Sequence, residues 1–282
     1  MKHVLIAGSS GFIGSNIDRY LLENEYKVLR LESPKSLKSN SNRKTNINDV
    51  QERINSEGLK FDLVINASQI YSRESQPSAL KPMHYANVEL PQILGKIAEK
   101  CGSKFVHFST YLEFSSLDSA YVSQKREISE WLESQRETIE IQRIILGDTF
   151  GFPDARDKVL NHIARTGIRR QVINLGSPKT QLRLLSILDL ISNLFSLQHQ
   201  GTYNFIPVNT VNLEEIISIA EKVFDCKYSV VWSNLFENSS ESLNTYKKVA
   251  STCSDFKLFH PIPIQERIHD FFTQYRLAMR AL

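Results

Sequence analysis

A short apolar run that breaks into evenly spaced glycines constrains this chain more than any other feature. His3–Ala7 is hydrophobic and of strand length, and Gly8-Ser9-Ser10-Gly11-Phe12-Ile13-Gly14 follows at once. Beyond the glycines, Ile13, Ile17, Leu21 and Leu22 recur at helical spacing. A buried strand, a glycine turn and an amphipathic helix in that order predict the start of a βαβ unit whose turn faces a phosphate. Gly8 permits the tight turn, Gly11 the approach of a pyrophosphate, and Gly14 close packing of helix on strand. The N–H groups and dipole of the helix N-terminus favour an anion. Ser10, Phe12 and Ile13, between the glycines, are therefore predicted to line a dinucleotide site with them.

The same rhythm continues. Strands are predicted at Lys27–Leu31, Asp62–Asn66, Lys104–Phe108 and Ile139–Leu146, and helices at Val50–Glu57, Glu89–Lys100 and Tyr121–Glu133, with a polar loop over Ser33–Asn46. Alternating strands and helices predict an α/β fold, a Rossmann doubly wound parallel sheet. After Gly147 the spacing changes. Gly151-Phe152-Pro153-Asp154 reads as a turn. Lys158–Arg165, Ile187–Leu197 and Leu213–Phe224 read as helices, and Val172–Leu175 and Thr202–Ile206 as strands. The expected organisation is a dinucleotide-binding domain over 1–150 and a smaller C-terminal α/β substrate-binding subdomain over 151–282. The strand near 202–206 is expected to return to the first sheet.

Composition removes several classes. The net charge of +3 comes from interspersed residues rather than a basic block, which argues against a nucleic-acid partner. The three cysteines stand far apart, and neither they nor the seven histidines show ligand spacing, so no metal is expected. No apolar run approaches membrane-spanning length, so no membrane partner is expected, and the cytoplasm is the expected location.

Two further features bear on chemistry. Glu32 closes the second predicted strand, where a carboxylate accepts hydrogen bonds from adenosine ribose hydroxyls and repels a 2′-phosphate. NAD(H) is therefore favoured over NADP(H), although Arg30, Lys35, Lys38 and Arg43 are cations able to receive a phosphate. Tyr121 and Lys125 are four apart on a predicted helix, hence on one face. A phenol titrates near pH 10 when free, and a neighbouring ammonium favours its ionised form. The pair is expected to act as an acid–base unit, with Lys125 also holding the nicotinamide ribose.

The Gly-x-x-Gly-x-x-Gly spacing, Ser109-Thr110 after a strand, and Tyr121-x-x-x-Lys125 together resemble the extended short-chain dehydrogenase/reductase family, in its NAD-dependent epimerase/dehydratase, sugar-nucleotide branch. The resemblance implies catalytic roles for Thr110, Tyr121 and Lys125, with Thr110 orienting the substrate oxygen. It implies cofactor contacts at Asn46, Ile47, Ala67 and Ser68, and substrate contacts at Ser109, Asp148 and Arg183. Arg183, six residues before Asp189, matches an arginine that meets the nucleotide diphosphate. It also implies a homodimer through the Glu89–Lys100 and Tyr121–Glu133 helices. Only ten residues separate Thr110 from Tyr121, fewer than in many members. The triplet Thr110-Tyr111-Leu112 lacks the acid pair of the 4,6-dehydratases. Val106–Thr110 and Leu63–Ala67 resemble dTDP-4-dehydrorhamnose reductases, and the short span resembles CDP-abequose and CDP-paratose synthases. The implied activity is reduction of a nucleotide-linked 4-keto-6-deoxy sugar, in deoxysugar assembly for a surface polysaccharide such as lipopolysaccharide. The alternatives are a sugar-nucleotide 4-epimerase and a non-catalytic dinucleotide sensor on the same fold.

Overall fold

The apolar runs form strands in the computed structural model, which describes residues 1–31, 44–72, 76–233, 240–253 and 262–280. β1 (His3–Ala7), β2 (Lys27–Leu31), β3 (Lys44–Thr45), β4 (Leu63–Asn66), β5 (Lys104–Thr110), β6 (Ile141–Leu146) and β11 (Gly201–Asn204) make one seven-stranded sheet. Its order is β11-β6-β5-β4-β1-β2-β3. Val4 of β1 lies opposite Val28 of β2 on one side and Leu63 of β4 on the other, both pairings parallel. Val4, Leu5, Ile6, Val64, Ile65, Ile144 and Ile145 are fully buried. A parallel sheet covered on both faces requires such unbroken apolar strands.

Strand order reverses between β1 and β4, and ligands of such sheets bind at the carboxyl ends beside that switch. Because the strands run parallel, Gly8 after β1, Ala67 after β4 and Thr110 ending β5 stand along one rim. The helices α1 (Phe12–Glu23), α2 (Ile47–Ser56), α3 (Pro77–His84), α4 (Leu90–Cys101) and α5 (Ala120–Ser134) connect these strands. Leu90, Leu94, Ile97 and Ala98 of α4, with Ile128 and Leu132 of α5, pack into one core with Leu5, Val64 and Phe105.

Several boundaries differ from the sequence expectation. Of the predicted polar loop, residues 33–43 lie outside the described residues, while Lys44–Thr45 forms β3 and Asn46 caps α2 by accepting the Asn48 N–H. α3, absent from the sequence reading, starts with Pro77 in its first turn and runs through a five-residue π-helical turn, Tyr85–Glu89, into α4.

The chain divides into two units. The first comprises Met1–Ile145, Gln198–Asn204 and Thr252–Ser254, and the second Leu146–Leu197, Phe205–Ser251 and Asp255–Leu282. The division thus falls within β6, a few residues before the expected one at 150. In the second unit β7 (Asp148–Phe150) pairs with β10 (Leu184–Ser186) and β8 (Ile173–Leu175) with β13 (Val230–Trp232), both parallel, while β9 (Gln181–Leu182) runs antiparallel to β12 (Val211–Asn212). Helices α6 (Val159–Ile168), α7 (Ile187–Leu194), α8 (Leu213–Phe224), α10 (Ile264–Arg280) and most of α9 (Ser240–Thr252) belong to it. Leu160, Ile163, Ile216, Ala220, Ile268 and Phe272 lie at its core. Asn212 and Glu215 close a capping box at the start of α8. Among the described residues no group of His, Cys, Asp or Glu is placed to hold a metal, and no helix is long and apolar enough to cross a membrane.

Candidate active site

The three glycines of the first turn answer to different demands. Gly8 has φ +84°, and a Cβ on it would lie 2.5 Å from the Ala67 carbonyl carbon and the Ser68 nitrogen. A Cβ on Gly14 would lie 2.1 Å from the Gly8 carbonyl oxygen. Both positions are closed by the protein itself. At Gly11 the nearest atom to a Cβ would be the Gly8 oxygen at 3.4 Å, an ordinary contact. Gly11 is exposed and caps α1, which has no side-chain cap and no acidic residue in its first turn. Ser10 is exposed beside it, and Phe12 and Ile13 are half-buried. An uncapped helix N-terminus behind a glycine that internal packing does not require fits a pyrophosphate.

Tyr121 and Lys125 lie on the buried face of α5, which Ser119 caps by accepting the Val122 N–H. Tyr121 is 3% exposed and Lys125 is completely buried, with Nζ 5.8 Å from the centre of the tyrosine ring. Lys125 Nζ has no hydrogen-bond partner. A buried, unpaired ammonium beside a phenol fits a ribose hydroxyl pair. Burial lowers Lys125 to about 8, with the Glu113 carboxylate working in the opposite direction. The phenol moves opposite to the sequence expectation. Burial pushes Tyr121 well above its ordinary value, the Glu113 carboxylate and Tyr71 add to the rise, and a hydrogen bond with Gln69 works against it. Desolvation of the phenolate is the largest cause. Tyr71 meets Tyr121 edge-on, with ring centres 5.0 Å apart.

Buried amides hold the segments around this pair. Asn87 Nδ2 donates to the Ile70 carbonyl at 2.9 Å and to Gln124 Oε1 at 3.0 Å, while its Oδ1 accepts the Ile70 N–H at 3.0 Å. This ties the chain after β4 to α5 at the residue before Lys125. Asn66 Oδ1 accepts the Ser68 N–H at 3.1 Å, and Asn66 Nδ2 lies 3.1 Å from His107 Nδ1. Burial, then Lys125 and Arg143, holds His107 well below its ordinary value, so the ring is neutral.

The residues ending β5 are more heavily engaged than their sequence suggests. Thr110 is half-buried, and its hydroxyl accepts the Leu112 N–H at 3.4 Å, capping the 3₁₀ turn Tyr111–Phe114. Ser109 is buried and donates to Glu113 Oε2 at 2.7 Å. Glu113, 7% exposed, is the residue that sequence reasoning missed. Its only signal was an acidic side chain inside an otherwise apolar and aromatic turn.

Other predicted residues have separate places. Asn46 is the exposed cap of α2, and Ile47 packs on the core of the first unit. Glu32, Lys35, Lys38 and Arg43 lie outside the described residues, and Arg30 is ion-paired at 2.8 Å with Asp18 of α1. In the second unit Asp148 is exposed and pairs with Lys158 at 3.0 Å. Arg183 Nη1 donates to the Pro207 carbonyl at 2.8 Å and to the Val208 carbonyl, and its guanidinium lies 5.2 Å from the Tyr246 ring. Asp189 accepts both Nε and Nη2 of Arg267.

A parallel sheet with a phosphate-ready glycine turn at its switch point and a buried Tyr–Lys helix on the same rim defines a dinucleotide-binding α/β protein. Residues 4–146, half of the chain, match the model of the NAD dependent epimerase/dehydratase family, and the chain belongs to that family. No curated protein matches it. Among solved structures it is similar to the UDP-glucose 4-epimerase of Thermotoga maritima, solved with UDP-glucose (TM-score 0.75, 13% identity, covering 98% of this chain and 99% of that one). It is also similar to the UDP-N-acetylglucosamine 4-epimerase of Methanobrevibacter ruminantium in complex with UDP-N-acetylmuramic acid (0.74, 15%, 99% and 99%). A third is the UDP-glucuronic acid 4-epimerase of Bacillus cereus with UDP-glucuronic acid and NAD (0.72, 15%, 98% and 99%). At these identities the likeness is one of fold.

Proposed function

We propose that this chain is an NAD-dependent 4-epimerase of a nucleotide-activated sugar. The observation that carries the reading is the α5 face on which buried Tyr121 and the unpaired ammonium of Lys125 stand one turn apart. The solved structures it is similar to support this reading over the 4-ketoreductase expected from sequence resemblance, because three of them are 4-epimerases of UDP-sugars. The turn from Gly8 to Gly14 and the start of α1 would hold the pyrophosphate of NAD, and Lys125 the nicotinamide ribose. Bound there, NAD supplies the hydride acceptor at the sugar carbon and the donor for its return. Tyr121 Oη takes the proton of the sugar hydroxyl and gives it back on the other face, while Thr110 Oγ1 orients that oxygen. General acid–base catalysis of this kind contributes about 10²- to 10⁴-fold.

One observation favours a second reading. With its phenol raised by burial and by Glu113, Tyr121 rests with its proton on, the state needed to deliver a proton to an alkoxide. That is the first task of a reductase acting on a 4-keto-6-deoxy sugar nucleotide. A single set of assays separates the two. An epimerase releases tightly held NAD on denaturation and interconverts UDP-hexoses with no net change at 340 nm, while a reductase oxidises NADH in proportion to a 4-keto-6-deoxy sugar nucleotide. A chain that does neither overturns both readings. The proposal includes a cytoplasmic homodimer joined through the outward faces of α4 and α5. Those faces carry exposed Lys96, Glu99, Ser123, Glu127 and Glu130, so the interface would be polar. A monomer mass by sedimentation removes it.

A further inference from the structure

Glu113 is a buried carboxylate held between two elements of the site. Ser109 of β5 and Ser129 of α5 both donate to its Oε2, at 2.7 and 2.6 Å. Ser129 extends the Tyr121–Lys125 face by a further turn, since the three residues are spaced by four. The turn that carries Glu113 is itself pinned to α5. Arg126 Nε donates to the Glu113 carbonyl at 2.9 Å, and Nη2 to the Ser115 carbonyl and, at 3.5 Å, to that of Leu117. Two hydroxyl donors on Oε2 satisfy that oxygen of the carboxylate and leave the other to a charge partner. A buried anion requires cations. Arg143 Nη2 stands 3.8 Å from Oε1, and Oε1 makes no hydrogen bond. Among the described residues the remaining buried cation is Lys125.

We infer that Glu113 is a positioning residue of the catalytic helix, the fixed counter-charge that keeps the ammonium of Lys125 ionised next to Tyr121. This rests on the catalytic roles given to Tyr121 and Lys125 in the proposed function. The groups facing Lys125 are Tyr121 on its own helix, Glu113 on the preceding turn, neutral His107 of β5, and Arg143 of β6, which faces Glu113. Among the described residues of this group only Glu113 is an anion. Burial alone drives Lys125 toward the neutral amine, and the carboxylate opposes it. With its charge kept, Lys125 holds a ribose hydroxyl as a donor and favours the phenolate whenever Tyr121 must act as a base.

The test is a pH titration of the Lys125 ε-carbon by NMR in the ligand-free full chain labelled with ¹³C-lysine, the signal assigned by its loss in Lys125→Met. No substrate is needed, so the result stands whether or not the chain epimerises a sugar. In Glu113→Gln, which keeps an acceptor for Ser109 and Ser129 but removes the charge, the midpoint falls by about one pH unit or more from that of the wild type. The alkaline limb of the turnover profile moves down with it. A fully folded Glu113→Gln protein with an unmoved midpoint overturns the inference. If Glu113→Gln does not fold, Glu113→Asp withdraws the charge by one methylene. A smaller downward shift there supports the inference, and an unmoved midpoint overturns it.

Discussion

The turn after β1 and the turn after β5 share one rim of one sheet, yet different forces build them. After β1 the demands are steric and local: Gly8 abuts the backbone at Ala67–Ser68, and Gly14 abuts Gly8. Every atom involved is backbone, so the requirement survives as a spacing of glycines. After β5 the demands are electrostatic and are met from a distance. Glu113 takes its partners from Ser109, Ser129 and Arg143, and His107 is held neutral among Lys125 and Arg143. A steric site tolerates no extra atom, whereas a charged site tolerates no change in balance. The two turns should therefore fail in different ways.

The largest effect belongs to the charged end. Tyr121→Phe keeps the ring against Tyr71 and removes only the hydroxyl, so turnover should fall about 10²- to 10⁴-fold. NAD binding, followed by fluorescence titration, should stay as in the wild type. Turnover at the wild-type level would remove Tyr121 from its role. At the steric end the failure is of folding. Gly14→Ala places a methyl 2.1 Å from the Gly8 oxygen and should cost about 3 kcal/mol in urea melts, or prevent folding. Gly11→Ala should change stability by less than about 1 kcal/mol while weakening NAD at least tenfold, about 1.4 kcal/mol. If Gly11→Ala unfolded as readily as Gly14→Ala, the separation of internal from ligand-imposed constraint would be lost.

A smaller effect is read from pH. His107 stays neutral when folded, so below its unfolded value of about 6.5 only the unfolded chain binds the proton. Stability from this group is full above that pH and falls by up to about 1.4 kcal/mol per unit below it. His107→Gln should flatten urea midpoints measured between about pH 7 and pH 5. Lys125 acts at the other end of the scale. Its folded value of about 8 lies below the unfolded one, so stability rises from about pH 8 towards about 10.4 and is lowest below that range. An acid limb that stays equally steep in His107→Gln assigns it to other groups.

The same contrast explains what could be read in the sequence. The sheet strands were legible because burial on both faces leaves unbroken apolar runs such as Val4–Ala7 and Leu63–Ile65. Tyr121 and Lys125 were legible because four residues make one helical turn. Glu113 was not, since Ser109 lies four residues before it and Ser129 sixteen after it, and only the packing of α5 on β5 brings them together. In the second unit, pairings of two or three residues such as β9 with β12 carry no period to read. The helix Leu213–Phe224 was read at its observed bounds, and the Asn212-x-x-Glu215 capping box marks its start. One element there left a signal that went unread. Ile268, Phe271 and Phe272, at helical spacing, marked the buried face of α10.

Arg183 offers the smallest effect and the sharpest choice between a structural and a ligand-binding arginine. The family resemblance assigns it to a nucleotide diphosphate, for which a guanidinium fork is suited. In the second unit that fork is already engaged, with Nη1 on the Pro207 and Val208 carbonyls and the group as a whole beside the Tyr246 ring. If the clip is its role, Arg183→Ala should lower stability by about 1 kcal/mol in urea melts and leave KM for the sugar nucleotide unchanged. If it binds substrate, KM should rise with kcat retained, the mark of binding shared by ground and transition states, and the melt should not move. Arg183→Lys separates the two further. A single ammonium can meet a phosphate as a point charge but cannot reproduce the fork, so lysine would restore KM in the ligand-binding case and leave the melt defect in the structural one.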